Sequence, residues 1–290
     1  MSKQIAVQKR KVILGAVALV LLALVVWIAW GNKALELNTY SISSTELPES
    51  FDGYRIAHVS DLHNAEIGAG NRTLLSMLQE AEPDMIAITG DLIDSRDTSV
   101  EIALAFAKEA MQIAPCYYVP GNHEARVSEY DELKSGLKAS GVVVLEDEQM
   151  QIDISGENIT IAGVNDPSFS TDYLFGDAAA VIGAKLSEMD REEEEFTLLL
   201  SHRPELYDTY VDCGIDLALS GHAHGGQFRL PFVGGLIAPN QGLFPEYDAG
   251  LYSESDTNMI VSRGIGNSLF PFRFNNRPEV VLIELESLKG

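Results

Sequence analysis

The sequence predicts an α/β protein in which two packed, mixed β-sheets are flanked by helices and preceded by one transmembrane helix. Three observations predict it. Short apolar runs alternate with helical patterns up to about residue 145, and the rest is richer in short strands, Gly and Pro, the order expected of two sheets covered by helices. An uncharged apolar segment occupies the N-terminus. Several of the apolar runs end in clusters of Asp, His and Asn, so the strands aim polar side chains at one edge of a sheet, where open α/β folds place their sites.

Residues 12–30, VILGAVALVLLALVVWIAW, form a 19-residue apolar run, close to the ~20 needed to cross a hydrocarbon core. Lys9, Arg10 and Lys11 precede it and Trp27 and Trp30 close it, which by the positive-inside rule and the aromatic belt puts the N-terminus in the cytoplasm and the following domain outside. A cleaved signal peptide is the rival reading, against which stand the length of the run and the lack of an A-x-A site after Trp30. A buried core helix is the third, with a basic flank and no amphipathic period against it. The chain thus divides into a basic tip and anchor at 1–33, a polar linker at 34–50 and one domain at 51–290.

Within that domain the expected strands are 54–60, 85–89, 116–119, 142–145, 197–201, 217–220, 259–262 and 280–286. Residues 150–154 and 159–164 read as a hairpin turning at Ser155-Gly156-Glu157. Helical patterns cover 70–81, 98–113 and 128–139, with Ser95, Asp97 or Thr98 available to cap the second and Gly141 stopping the third; 177–195 is an acidic helical surface segment.

With 46% hydrophobic residues the chain can bury a full core. Its formal charge is -23, and because five basic residues lie before residue 34, the remainder holds 15 basic against 43 acidic residues, or -28. A field of that sign repels nucleic acid, but small phosphorylated substrates are accepted if cations sit in the site. Cys116 and Cys213 lie outside the polar clusters and read as two thiols rather than a disulfide framework.

Five of six histidines fall in the clusters: His63 with Asp61, His123 with Asn122, His202, and His222 with His224, while Asp91 and Asp94 end the run at 85–89. Carboxylate, imidazole and amide donors without thiolate suit zinc, manganese or iron, and magnesium less well. Ser60 and Ser201 sit beside these residues without the elbow a serine nucleophile requires. His58 alternates with apolar neighbours and reads as a satisfied core histidine; Arg203 and Arg273 read equally as site cations or surface charges.

Asp61-x-His63, Gly90-Asp91-x-x-Asp94, Gly121-Asn122-His123-Glu124, His202 and Gly221-His222-x-His224 together resemble, in order, the five signature blocks of the calcineurin-like metallophosphoesterases. GHAHGGQFRLPF and SRGIGNSLFPFRFNNRPEVVLIEL resemble the membrane-anchored bacterial branch, so the likeness spans 54–285. The resemblance implies a four-layer αββα fold and two divalent ions (manganese, zinc or iron). Asp61, His63, Asp91 and His224 would hold one, and Asp91, Asn122, His202 and His222 the other, with Asp91 bridging. It further implies that His123 stabilises the phosphoryl oxygens and protonates the leaving alkoxide, oriented by Asp94, and that a metal-bridging hydroxide attacks the phosphorus. Glu124 stands where Asp is more frequent, which removes no ligand.

The expected activity is therefore hydrolysis of a phosphodiester, lipid- or envelope-linked, by a single-pass membrane protein. Phosphomonoester or nucleotide-lipid pyrophosphate hydrolysis is the alternative. A metal-stabilised protein that binds a phosphorylated ligand without turnover is the non-enzymatic one, and a nuclease is disfavoured by charge. Apolar stretches at 230–232, 243–245 and 269–274 serve either as a rim for acyl chains or headgroups, or as caps on the core.

Overall fold

Strands that are apolar throughout bury both faces, and their alternation decides the layering. A computed structural model describes residues 2–174, 177–191, 195–268 and 270–289; where an expectation touches Met1, 175–176, 192–194, Leu269 or Gly290 it lies outside the described residues. In chain order the elements are α1 (Ser2–Gly31), β1 (Glu36–Ser44), β2 (Arg55–Val59), α2 (Arg72–Ala81), β3 (Met85–Thr89), α3 (Val100–Ala110), β4 (Cys116–Val119), α4 (Tyr130–Ala139) and β5 (Val143–Val144). There follow β6 (Glu148–Ile154), β7 (Glu157–Gly163), α5 (Ala178–Glu188), β8 (Thr197–Leu200), α6 (Tyr207–Asp212) and β9 (Leu217–Ser220). Two small ribbons come next, β10 (Arg229–Leu230) with β11 (Gly234–Gly235) and β12 (Ile237–Ala238) with β13 (Gly242–Leu243), before β14 (Gly250–Glu254), β15 (Thr257–Val261) and β16 (Glu279–Ser287).

The first sheet has the order β1-β16-β2-β3-β4-β5, the second β14-β15-β9-β8-β7-β6. Both are mixed: β2 to β5 run parallel and β16 antiparallel to β2, while β15, β9, β8 and β7 run parallel with an antiparallel partner at each edge. In β3, Met85 and Ala87 join Leu198, Leu217 and Ile260 in a core between the sheets, whereas Ile86 and Ile88 pack under α2, α3 and α4 with Leu74, Phe106 and Leu133. On the other side Ala162, Leu199 and Ala218 pack under α5 and α6 with Ile182 and Tyr210. Two mixed sheets flanked by helices are thus the architecture, layered helix, sheet, sheet, helix.

The hairpin turns where expected, Ile154 pairing with Glu157 across Ser155 and Gly156, both with positive φ, the twist that matches flanking strands. The second helix starts later than expected: Ser99 precedes Val100 without a side-chain cap bond. Residues 34–50 are not a linker, because 36–44 form β1, paired in parallel along all of β16. Its polar sequence is that of an edge strand whose residues alternate between partial and full exposure, with only Ile42 buried. Helix α1 buries none of its apolar segment, Val7–Gly31, against the domain, which removes the core-helix reading. Cys116 and Cys213 are both free thiols, and Cys116 is buried.

Because Ile42 is 2% exposed beneath the first sheet, Ile42→Ala is expected to cost about 2–5 kcal/mol, read as a lower denaturant midpoint at unchanged slope. A linker residue would show no such loss.

Candidate metal centre

Parallel strands end side by side, so the polar clusters at their tips meet. Asp61 and His63 follow β2, Asp91 and Asp94 follow β3, Asn122 and His123 follow β4, and from the second sheet His202 follows β8 and His222 and His224 follow β9. All nine are brought to one place. The seven expected ligands are each at most 7% exposed, and His123 borders the pocket above them.

Donor atoms gather in three overlapping groups, of which two match the expected ligand sets and the third joins His123 to His63 and Asp91. In the first, His63 Nε2 lies 3.1 Å from His224 Nε2, 3.7 Å from Asp61 Oδ1 and 3.5 Å from Asp91 Oδ2, with His224 Nε2 3.3 Å from Asp61 Oδ1. In the second, His202 Nε2 lies 3.1 Å from His222 Nδ1, 3.2 Å from Asn122 Oδ1 and 3.3 Å from Asp91 Oδ2. Asp91 Oδ2 is common to both.

Such packing of lone pairs against lone pairs in a dry site requires positive charge between them. Burial opposes a charged His202, yet Asp91 and Asp61 outweigh it and lift the imidazole to about 10; its neighbour His222 is pushed well down by burial, Arg203 and His202. The other pair behaves alike. His63 is raised against burial by Asp61 and Asp91, and His224 is lowered by burial to about 3. The carboxyls of Asp61 and Asp91, despite burial, are held far below the usual range by these imidazoles. The donor chemistry fits a pair of borderline divalent ions.

The surroundings orient the donors. His202 Nδ1 is 2.7 Å from the carbonyl of Thr89, to which it donates, leaving Nε2 free to ligate. Asp61 Oδ2 accepts the His222 N–H at 3.0 Å, and Asp91 Oδ1 the His123 N–H at 2.8 Å. A side chain at Gly121 would put Cβ 2.7 Å from the Asp91 nitrogen, so only glycine lets the two loops close on each other.

Asp94 departs from the role the resemblance implied. Its carboxylate, held down to about 2 chiefly by Arg96 against the effect of burial, pairs with that arginine, and its nearest approach to His123 is 3.5 Å. The hydrogen bond that orients His123 comes instead from the Ser95 N–H to Nδ1 at 3.0 Å. With Nδ1 accepting, the neutral ring carries its hydrogen on Nε2.

Sequence reasoning passed over several supports. Glu124 is fully buried and its carboxylate accepts the N–H groups of Gly121 (2.8 Å), Asp91 (2.9 Å) and Ile93 (3.3 Å), tying the second and third ligand loops together; burial and Asp91 push it up to about 7. Arg203 is neither a surface charge nor a pocket cation: it is 1% exposed and paired with Asp166 through two bonds of 2.5 and 2.9 Å. Asp166 follows the apolar run of β7 as the ligands follow theirs, the signal by which it was findable. Arg273 is also buried, 3.4 Å from His224 Nδ1 and bonded to the carbonyls of Arg263 and Gly266. His58 is a buried core histidine bonded to Thr89 Oγ1 at 2.7 Å; Ser60 donates to the Thr89 carbonyl and Ser201 pairs with Tyr210.

The model of the calcineurin-like phosphoesterase family matches residues 54–226. The chain belongs to that family. It is 31% identical over 260 residues to the uncharacterized metallophosphoesterase YkuE of Bacillus subtilis strain 168, covering 87% of this chain and 86% of YkuE. It is 29% identical over 244 residues to the phosphodiesterase YaeI of Escherichia coli K12, covering 80% and 82% of the two chains. It is 27% identical over 270 residues to a Bos taurus transmembrane protein with a metallophosphoesterase domain, covering 87% of this chain and 57% of that one. This chain is accordingly a metal-dependent phosphohydrolase by family.

Glu124→Gln replaces a carboxylate that accepts three N–H groups by a side chain with one oxygen. Metal affinity is expected to fall about 10- to 100-fold, measured by titrating metal-stripped protein. An unchanged affinity would mean the loops hold their places without it.

Proposed function

We propose that this chain is a membrane-anchored phosphodiesterase with a two-metal centre, acting on a lipid- or cell-envelope-linked phosphate. Asp61, His63, Asp91 and His224 hold one ion and Asp91, Asn122, His202 and His222 the other, the ions being manganese, zinc or iron. The observation that carries this reading is the meeting of two donor groups at one shared carboxylate oxygen. Ions held there would supply Lewis acidity, activating water as the nucleophile and neutralising phosphoryl oxygens.

The chain's own residues do the rest. The pocket, about 330 Å³, is bordered by His123 and Arg126 and floored by Asp91 and His222. Burial lowers the pKa of His123, so the ring stands neutral with its Nε2 hydrogen available to a phosphoryl or leaving oxygen. Ser95 fixes that orientation, and Asp94 spaces His63 and His123 from 3.8 and 3.5 Å. Asp166 and Arg203 brace the second sheet's ligand loops from behind.

Anchoring rests on the 25-residue segment Val7–Gly31, long enough at ~1.5 Å per residue to cross a ~30 Å hydrocarbon core, and on the Bos taurus relative named as a transmembrane protein. Lys9, Arg10 and Lys11 ahead of the segment support, by the positive-inside rule, an N-terminus in the cytoplasm and a domain outside. The name of YaeI supports a diester, and the charge of the domain disfavours nucleic acid as partner. One observation favours the second reading, a phosphomonoesterase or nucleotide-lipid pyrophosphohydrolase. Arg126 borders the pocket and has no carboxylate partner among the described residues, as a second substrate anion would require.

Full-length protein in detergent, stripped of metal and restored with manganese, zinc or iron, is expected to cleave chromogenic diesters faster than monoesters, and Asp91→Asn to abolish turnover in every case. Turnover by stripped protein or by Asp91→Asn overturns the two-metal reading; faster monoester cleavage selects the second one.

His123→Ala is expected to lower kcat by about 10²–10³ at unchanged metal content, the loss typical of one removed transition-state donor. If the ring donates to a phosphoryl oxygen, the dependence of rate on leaving-group basicity should be the same in both proteins. A steeper dependence in the variant would identify proton transfer as the lost step.

A further inference from the structure

The surface around the exit of α1 has no part in the chemistry above, and its composition is unlike the rest of the chain. The 25 residues 221–245 and the 17 residues 262–278 contain no Asp or Glu, in a chain that has 43 of them. Of their four arginines, Arg229 pairs with Asp248, Arg263 with Glu36 and Glu279, and Arg277 with Glu36, while Arg273 is buried, so the face is close to neutral.

The two segments fold onto each other as one face. Phe228 and Phe274 form a parallel bridge, Arg229 donates its N–H to the Phe274 carbonyl at 2.9 Å, and Gln227 Nε2 donates to the carbonyls of Phe270 and Phe272 at 3.3 and 2.7 Å. The Phe228 ring contacts those of Phe270 and Phe272 at 5.0 and 5.4 Å. These loops do not cap the core: Phe232 is fully exposed, Leu243 and Phe244 are 67% and 61% exposed, and Val233, Phe270 and Phe272 are exposed beside them.

The face is also joined to the anchor. Asn32 exchanges two bonds with the Arg273 backbone, at 2.7 and 2.8 Å, Trp27 meets Phe274 edge-on at 5.4 Å, and the Arg277 guanidinium lies 5.1 Å over the Trp30 ring while donating to the carbonyls of Ala34 and Leu35. A cavity of about 300 Å³ lies at this junction between Trp27, Trp30 and Arg277. Aromatic rings and arginines at one level, next to the end of an apolar helix, are the side chains that settle at a membrane interface. The inner side of the same loops supplies Pro239, Asn240 and Ser268 to the wall of the metal pocket.

We propose that this acid-free apolar face lies on the phospholipid bilayer that α1 crosses, with Phe232, Leu243 and Phe244 inserted among the lipids and the metal pocket opening beside the headgroups. The proposal rests on the reading of α1 as an anchor. Three features select a bilayer as occupant: the face is continuous with the anchor, its own two segments carry no acid and the neighbouring Glu36 is neutralised by Arg263 and Arg277, and its most exposed apolar residues, Phe232, Leu243 and Phe244, stand on short loops suited to a fluid surface. A substrate held in the membrane would then reach the metals by lateral movement along the surface.

The test uses the full chain, with metal, in nanodiscs of mixed phosphatidylglycerol and phosphatidylcholine. Single cysteines replace Phe232, Leu243, Leu19 or Lys108 in a Cys213→Ser background, each carrying a nitroxide whose collisions with oxygen and with a water-soluble nickel chelate report depth. Cys116 is buried and its thiol pushed up to about 12, so it does not label. Lys108 lies near the C-terminal end of α3, away from the strand tips that bear the site. The labels at positions 232, 243 and 19 are expected to favour oxygen over nickel at least several-fold, and that at 108 to favour nickel. A buried label at 19 with aqueous labels at 232 and 243 overturns the seated face while sparing the anchor; an aqueous label at 19 overturns both. As a second check, Phe232→Asp combined with Phe244→Asp should release the label at 243 into water with turnover of a soluble diester unchanged. A label at 243 that stays buried in that variant overturns the proposal.

Discussion

The structure depends on a buried carboxylate that both sheets share. Asp91 is 1% exposed; one oxygen accepts the amide of His123 from the neighbouring loop of the first sheet, and the other faces His63 from that sheet and His202 from the second. An isolated ionised carboxylate at that depth would cost many kcal/mol. It is stabilised by the positive charge that His202 and His63 can carry beside it, a place suited to cations. The core between the sheets is otherwise mainly apolar, with the buried His58–Thr89 pair next to the site.

Reaching that point strains the backbone. Asp61, His63, Asp91, His222 and His224, five of the seven expected ligands, have φ between 46° and 64°, a region costly for residues other than glycine. Local bonds hold them there: the Asp61 N–H to the Gly90 carbonyl at 3.1 Å, the His63 N–H to the Asp91 carbonyl at 2.9 Å, and the three amides gathered by Glu124. The left-handed turns bend each ligand inward right after its strand. Preorganisation of this kind lets the energy of metal binding act on affinity rather than on ordering loops.

What could be read from the sequence follows from burial. The strands Met85–Thr89, Cys116–Val119 and Leu217–Ser220 have the expected bounds because each is buried on both faces and so is apolar without interruption. Strands β1 and β14 were missed because they lie at sheet edges and carry the polar residues of a half-solvated surface. The ligands were legible through their residue types at strand tips. Glu124, Arg203 and Arg273 were visible as letters but not as roles, since a carboxylate that gathers backbone amides and an arginine sealed behind a site have no period or spacing. The same limit hid Ser95, whose backbone N–H and hydroxyl both meet His123 Nδ1, at 3.0 and 3.1 Å.

The charge of the chain and the charge of the site pull in opposite directions. A domain with 15 basic and 43 acidic residues repels an anionic phosphate at long range, but at physiological ionic strength that field fades over ~8 Å, so the groups within the mouth decide. There the balance differs: Arg96 and Arg126 border the pocket, the acid-free loops supply another wall, and bound cations would complete it. Asp94, the carboxylate beside that mouth, is neutralised by Arg96. The acidic exterior therefore does not argue against an anionic substrate; it confines favourable potential to one opening. Of the surface that remains, the acid-free face beside the anchor is the other place where the repulsion is lifted, and it adjoins the same opening.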